Sequence, residues 1–589
     1  MRRPHCLAVK RGLDLSLVSL IGGLGLFLAG CVDNAGDGAG PKALAPPAET
    51  DESMDAPIRL SYVCGNRFLI TNAYSVAVSV TYRVAGTDEE SEALLSAAPT
   101  QDPAYSERLI ETHNKGSVEL LLNGTRIAVR ANRGVPCTAS TPAPSFLTMG
   151  QATGGEWTAP FKWANVAVHL TLMSNGKVLS WGHAGVPVVW DPATQKFDSV
   201  PSPALLFCAG HALTTDGRVV VAGGHITDDH GLPDMSIFSP GTKTWTQTKP
   251  MQRGRWYPTA TTTGAGDVVI VAGKDEAGTT VTVPEIWKQN GDIIPLTGAS
   301  RSFPYYPRIF LAPNGKLFYA GEAQTTRWLT ISGAGSWKAG PNRLYGTRDY
   351  GAAAMYDEGK IVYIGGGHTT NTAETIDLNQ TTPKWSWTPG TMASPRRHHN
   401  AVILPTGQVL VVGGLSGSAF NDLSTAVHPA EIWDPGTGLF TTLASNTVNR
   451  GYHTTAILLP DGRVLLSGSG DGAGAPSEKN AEIFSPPYLF NGPRPTITSR
   501  PSRLAYNNSY RIGTPDAASI SQVTLLRLGS TTHAFDMNQR FQRLPFTADA
   551  TGLTISAPLT RNRTPQGHYL LFIVNANGVP SVGKIVQVK

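Results

Sequence analysis

The sequence predicts an all-β protein built around a seven-bladed β-propeller, and three observations predict it. One strand theme recurs seven times: NGKVLSWG from Asn175, DGRVVVAGG from Asp216, GDVVIVAGK from Gly266, NGKLFYAGE from Asn314, EGKIVYIGGG from Glu358, TGQVLVVGG from Thr406 and DGRVLLSGS from Asp461. The copies fall at intervals of about 40 to 55 residues, the span of a four-stranded blade. Most repeats also share an outer strand and turn, as in VVWDPATQKF from Val188 and EIWDPGTGLF from Glu431. Composition agrees, because only 15% of residues are charged while 63 glycines and 43 prolines suit many short strands and turns.

With 589 residues the chain exceeds one domain. Residues 1–30 combine a basic start, an apolar run from Leu13 to Leu28 and the sequence Leu28-Ala29-Gly30-Cys31, which resembles a bacterial lipoprotein signal cleaved before Cys31. Export is expected, with a lipid on Cys31 holding the protein to a membrane surface of the bacterial cell envelope, on its outer or periplasmic face. No later apolar run is long enough to span a bilayer. Residues 31–56 are rich in Ala, Pro, Gly and acidic residues and read as a disordered tether. A small β-sandwich is expected over 57–140, where Cys64 and Cys137 bracket alternating strands. A disulfide between them would contribute about 4 kcal/mol by closing a long loop. The propeller takes 141–492, and 493–589 returns to short strands without the repeat, as an immunoglobulin-like β-sandwich. The net charge of +5 lies partly in the leader and gives no nucleic-acid signal. A monomer is expected.

Chemistry shows at one recurring position. Nine residues before the turn glycines Gly217, Gly266, Gly315, Gly359, Gly407 and Gly462 stand Cys208, Tyr257, Tyr306, Tyr350, His398 and His453, with Ala167 in the first repeat. In a propeller, equal offsets project to one level of the central channel, so a thiol, three phenols and two imidazoles converge there, the outline of a redox-metal site. Cys208 has no partner once Cys6 leaves with the leader, and such a thiol is either inert or reactive. Beside Tyr257 it can be joined through sulfur to the phenol ring. Copper(II) favours nitrogen and oxygen donors, which His453 and the adjacent Tyr452 supply. His225, Asp228, Asp229 and His230 read as a solvated loop, and the Gly-rich run from Gly468 as a turn, since it lacks the Lys and helix of a phosphate loop.

The stretch NRGYHTT from Asn449, with FCAG at Phe207, RWYPT at Arg255 and GSTTHAFDMNQR at Gly529, resembles the copper radical oxidases, galactose oxidase and glyoxal oxidase. The resemblance covers about 145 to 589 and is closer to glyoxal oxidase-like bacterial members. It implies one copper ion, a Cys208–Tyr257 thioether-linked tyrosyl radical, Tyr257, Tyr452, His453 and His533 as metal ligands, and Tyr452 as base. It further implies a kelch-like propeller with the His533 loop reaching into its channel. Tyr306, Tyr350, His398 and His399 are expected to line the pocket. Galactose oxidase places a Trp over the thioether ring, whereas here the corresponding strand runs into Lys274 and Asp275 with no aromatic. With RWYPT, this favours small aldehydes, as hydrates, or primary alcohols, with O2 reduced to H2O2. The alternatives are a galactose oxidase-like carbohydrate alcohol oxidase and a non-catalytic kelch propeller binding glycan or protein. A hydrolytic site would need paired carboxylates, which the recurring position does not offer.

Overall fold

The computed structural model describes residues 58–64, 66–72, 78–85, 87–95, 106–112, 116–122, 125–130, 153–472 and 474–589. The leader, Cys31, the tether and Cys137 lie outside these, and so does the expected Cys64–Cys137 disulfide. Cys208 is a free, buried thiol. The described chain is all-β, and no helix in it is long and apolar enough to cross a membrane.

Two sheets near the N-terminus, of three and four strands, share a core that includes Leu60, Phe68, Ile70, Val80, Val118 and Leu120. From His169 onward the chain lays down seven sheets in succession, each an antiparallel meander. The second sheet shows the pattern: Gly210–Leu213, Val219–Ala222, Met235–Ser239 and Thr244–Gln247 pair in chain order. Its first two strands are wholly buried and its fourth is mostly exposed, so the repeated apolar theme occupies the second position of each sheet. First strands of neighbouring sheets pack side by side: Gly210–Leu213 against Thr259–Thr262, Ala352–Asp357 against Asn400–Ile403, and Asn400–Ile403 against Thr454–Leu458. The strand Thr454–Leu458 in turn packs against His169–Leu172 of the first sheet. The segment just before the first sheet joins the seventh, where Trp157 pairs with Phe484 and Lys162 with Asn480.

Beyond Pro493 a five-stranded and a three-stranded sheet enclose a third core around Leu525, Tyr569, Leu571 and Ile573. One excursion leaves this unit. Ser530–Thr532 and Phe535–Asp536 form a hairpin whose first strand adds to the first sheet, His169 opposite Thr532. His533 and Ala534 make its two-residue turn at φ 47° and 62°, the left-handed pair that such tight hairpins require. Asp536 fixes the base by accepting from the backbone N–H groups of Ser530, Asn538 and Gln539.

Candidate active site

The six residues at the recurring position share an unusual backbone. Cys208, Tyr257, Tyr306, Tyr350, His398 and His453 have φ of 61°, 65°, 47°, 49°, 61° and 69°. A bulky L-residue rarely enters this left-handed region, at a cost of about 1–3 kcal/mol each. Hydrogen bonds passed from loop to loop hold it: Tyr257 N–H donates to Cys208 O at 2.8 Å, Tyr306 N–H to Tyr257 O at 3.1 Å and His398 N–H to Tyr350 O at 3.0 Å. Cys208 N–H donates to the imidazole Nε2 of His169 at 3.1 Å.

Buried arginines anchor four of these loops from behind. Arg255, Arg348, Arg396 and Arg450 donate to the carbonyls of Ala272, Gly365, Gly413 and Gly468 and pair with Glu285, Glu374, Glu431 and Glu482. Gly468 itself, at φ 77°, leaves no room for a side chain, because a Cβ would come within 2.4 Å of His453 O.

Inside this frame the structure brings Cys208, Tyr257, Tyr452, His453 and His533 together. The Tyr257 and Tyr452 hydroxyls are hydrogen-bonded to each other, and Tyr257 Oη lies 3.4 Å from His453 Nε2. The buried Cys208 packs in one cluster with Tyr257. His453 Nδ1–H donates to Gly470 O at 2.6 Å, which turns Nε2 toward the phenols. His533 has Nδ1 on the Thr532 hydroxyl at 2.6 Å, and its buried Nε2 finds no partner among the described residues. The His533 ring lies 4.6 Å from both the Tyr257 and His453 rings, centre to centre. Burial pulls His453 down to about 4 and His533 well below the ordinary imidazole value, so both rings are neutral and free to ligate. Burial pushes the phenols of Tyr257 and Tyr452 and the Cys208 thiol well above their ordinary values. A bound cation is what would favour their ionised forms.

The remaining candidates fall into distinct places. His398 Nε2 is held by Phe420 O at 2.6 Å, and its ring lies 5.3 Å from that of Tyr452. His399 is fully buried. Tyr306 stacks on His533 at 4.5 Å with its hydroxyl on Ala209 O. Tyr350 meets Tyr452 edge-on, ring centres 5.5 Å apart. His225 and His230 are drawn into a hairpin, His225–Thr227 against His230–Gly231. The Gly-rich run from Gly468 is a turn, with the added task of presenting Gly470 O to His453. An aromatic lid does cover Tyr257, from an unanticipated source: Trp256, the preceding residue, stacks on it at 3.8 Å and 14°. Lys274 bridges to Trp256 through the backbone, and the Asp275 carboxylate is spent on the N–H groups of Ala277 and Thr279.

A cavity of about 250 Å³ opens beside the cluster, lined by Lys274, Phe303, Tyr305, Arg308, Glu322, Asp349 and Tyr350. Tyr350 joins it to Tyr452, and Arg308 joins it to His533 by donating to its carbonyl at 3.2 Å. Burial, with Asp349 adding to it, raises the Glu322 carboxyl to about 7.

Among the described residues no three His, Cys, Asp or Glu side chains converge as ligands. The donors here are two imidazole nitrogens and two phenol oxygens, and one nitrogen is a buried orphan. That set fits copper(II), which takes N and O ligands. Comparison with known proteins agrees. Residues 368–488 match the family described as Glyoxal oxidase N-terminus and 494–588 that described as Galactose oxidase-like, Early set domain. A galactose oxidase from Gibberella zeae is 28% identical over 523 residues, 78% of this chain and 75% of that one. An aldehyde oxidase GLOX from Vitis pseudoreticulata is 29% identical over 454 residues, 68% of this chain and 85% of that one. A solved fungal alcohol oxidase of the AA5 family, in complex with copper, superposes with a TM-score of 0.68 at 25% identity, covering 74% of this chain and 100% of its own.

Proposed function

This chain is related to galactose oxidase and glyoxal oxidase, the copper radical oxidases, and on that premise we propose that it oxidises small aldehydes, as their hydrates, or primary alcohols while reducing O2 to H2O2. The observation that carries the reading is the buried group formed by Tyr257, Tyr452, His453 and the orphaned Nε2 of His533, with the free thiol of Cys208 packed in the same cluster as Tyr257. The seven sheets are read as blades of a kelch-like propeller around this group, flanked by sandwich units over 57–140 and 493–589. Export and a lipid anchor at Cys31 belong to the same proposal.

Tyr257, Tyr452, His453 and His533 would hold one copper ion, which when bound supplies a Lewis acid and a one-electron acceptor. Cys208 and Tyr257 would be joined by a thioether, formed as the thiol and a ring carbon each give up a hydrogen to O2. Tyr452 takes the proton of the substrate hydroxyl, and Tyr350, whose ring meets it edge-on, also lines the cavity. Tyr257, as a radical, removes a hydrogen atom from the substrate carbon. Trp256, stacked on the Tyr257 ring, covers that face of it. At about 250 Å³ the cavity falls below the usual range of small-molecule sites, which supports a substrate of few carbons.

Copper-loaded protein should release peroxide faster from glycolaldehyde and glyoxal-type aldehydes than from galactose at equal concentration. Its Cys208 and Tyr257 peptides should be recovered linked, lighter than their sum by a pair of hydrogens. Unlinked peptides in an active enzyme would overturn the cofactor, and galactose as the better substrate would move the reading to carbohydrate alcohols.

A further inference from the structure

Three aromatic rings connect the buried site to the surface. Tyr257 is stacked against Trp256, and Tyr305 meets both edge-on, at 5.1 Å from Tyr257 and 5.3 Å from Trp256. Each outer ring has a proton acceptor of its own. The Trp256 indole N–H donates to His225 Nδ1 at 3.0 Å. The Tyr305 hydroxyl donates to the carboxylate of Asp229, an exposed residue on the loop between His225–Thr227 and His230–Gly231.

Electron tunnelling falls steeply with distance, and rings in van der Waals contact form its shortest steps. Oxidising a phenol also requires that its proton go somewhere, so a phenol already donating to a carboxylate is the easier one to oxidise. We propose that Tyr305 and Asp229 form an electron port through which an outer-sphere one-electron oxidant at the surface converts Tyr257 to its radical.

The step balances as follows. Tyr305 gives one electron to the oxidant, taken here as hexacyanoferrate(III), which leaves as hexacyanoferrate(II), while the phenolic proton crosses to Asp229. The Tyr305 phenoxyl then takes one electron from Tyr257 through the ring contacts, directly or by way of Trp256, and recovers its proton from Asp229. Tyr257, a phenolate in the copper-loaded site, loses an electron alone. The inference rests on the oxidase reading but concerns how the radical is generated rather than how substrate is turned over.

The test is stopped-flow oxidation of the copper-loaded protein by hexacyanoferrate(III), with the radical followed by absorbance and counted by electron paramagnetic resonance. Tyr305→Phe keeps the ring and removes the proton. Asp229→Asn keeps the shape and removes the acceptor. Radical formation should slow by about 10² or more in each, the low end of the effect of losing a positioned proton acceptor. The solvent deuterium effect seen in the wild type should disappear in Tyr305→Phe. Asp229→Asn, once fully oxidised, should turn over substrate at the wild-type rate, because Asp229 neither lines the cavity nor contacts a ligand, and its asparagine still accepts a hydrogen bond from Tyr305. Radical formation at the wild-type rate in both variants overturns the port. A wild type that binds copper but forms no radical overturns the oxidase reading, and the port with it.

Discussion

Glu322→Gln isolates the most perturbed carboxyl of the cavity. Burial raises the wild-type group to about 7 from 4.5, and the neighbouring Asp349 adds to that rise. The folded state therefore binds a proton that the unfolded chain has already released between these values. Stability from this group is fully present below about pH 4.5 and is lost as the pH climbs through about 7, a change of about 3 kcal/mol for a rise of that size. Glutamine has the same shape and no such dependence. Calorimetric unfolding of the metal-free proteins should show the two matched near pH 4.5 and the variant more stable by about 3 kcal/mol near pH 8. A functional counterpart follows, because ionised Glu322 stands in the cavity. The KM of an aldehyde bearing a carboxylate should rise through neutral pH in the wild type and stay flat in the variant. A stability difference that is the same at both pH values, or that favours the wild type in alkali, would refute the assignment.

Other perturbations address the site directly. Tyr452→Phe should retain copper and lower turnover by about 10² to 10⁴, the range for losing a positioned base, measured as peroxide release. Unchanged turnover would place the proton transfer elsewhere. His533→Ala should lose copper by equilibrium dialysis and lose peroxide production, while the metal-free protein melts as before; full activity would require another imidazole. Glu285→Ala strands the buried Arg255 guanidinium, and breaking such a pair costs about 3–5 kcal/mol. It should lower the melting temperature and loosen Tyr257, two residues further on, and unaltered melting would show that the pair is expendable.

The all-β class was legible because each repeat is a short run of β-branched residues closed by glycine, a pattern that buries a strand on both faces whatever its neighbours. The cluster was legible through equal offsets from equal turns, since residues one slot apart in the repeat become neighbours once the sheets stand side by side. Its backbone was not legible. Nothing in the identity of Tyr257 or His453 announces a left-handed φ, and local preference argues against it. The Arg–Glu anchors did leave a signal: an arginine two or three residues before four of the slots, and a glutamate in the third strand of the same sheet. It goes unnoticed when charges are read as surface groups. Trp256 stands in plain view within RWYPT, yet the aromatic lid of galactose oxidase corresponds to the strand end at Lys274, from which a stacking partner arrives from a distance rather than from the preceding residue. His533 belongs to a different unit from its neighbours, and only resemblance pointed to it.

These missed features explain how the site keeps its shape. A ring of strained loops is unfavourable residue by residue and persists only if the surroundings over-determine it. The buried pairs at Arg255, Arg348, Arg396 and Arg450 pin four loops through carbonyls at the ends of their own second strands, so relaxing the strain would expose a charge to an apolar interior. The hairpin whose first strand, Ser530–Thr532, pairs with the first sheet brings the His533 imidazole in from outside the repeat with its Nδ1 already committed. The donors are thus aimed by contacts that owe nothing to a metal. Loss of copper should leave them in place, which is why His533→Ala separates affinity from folding while Glu285→Ala does not.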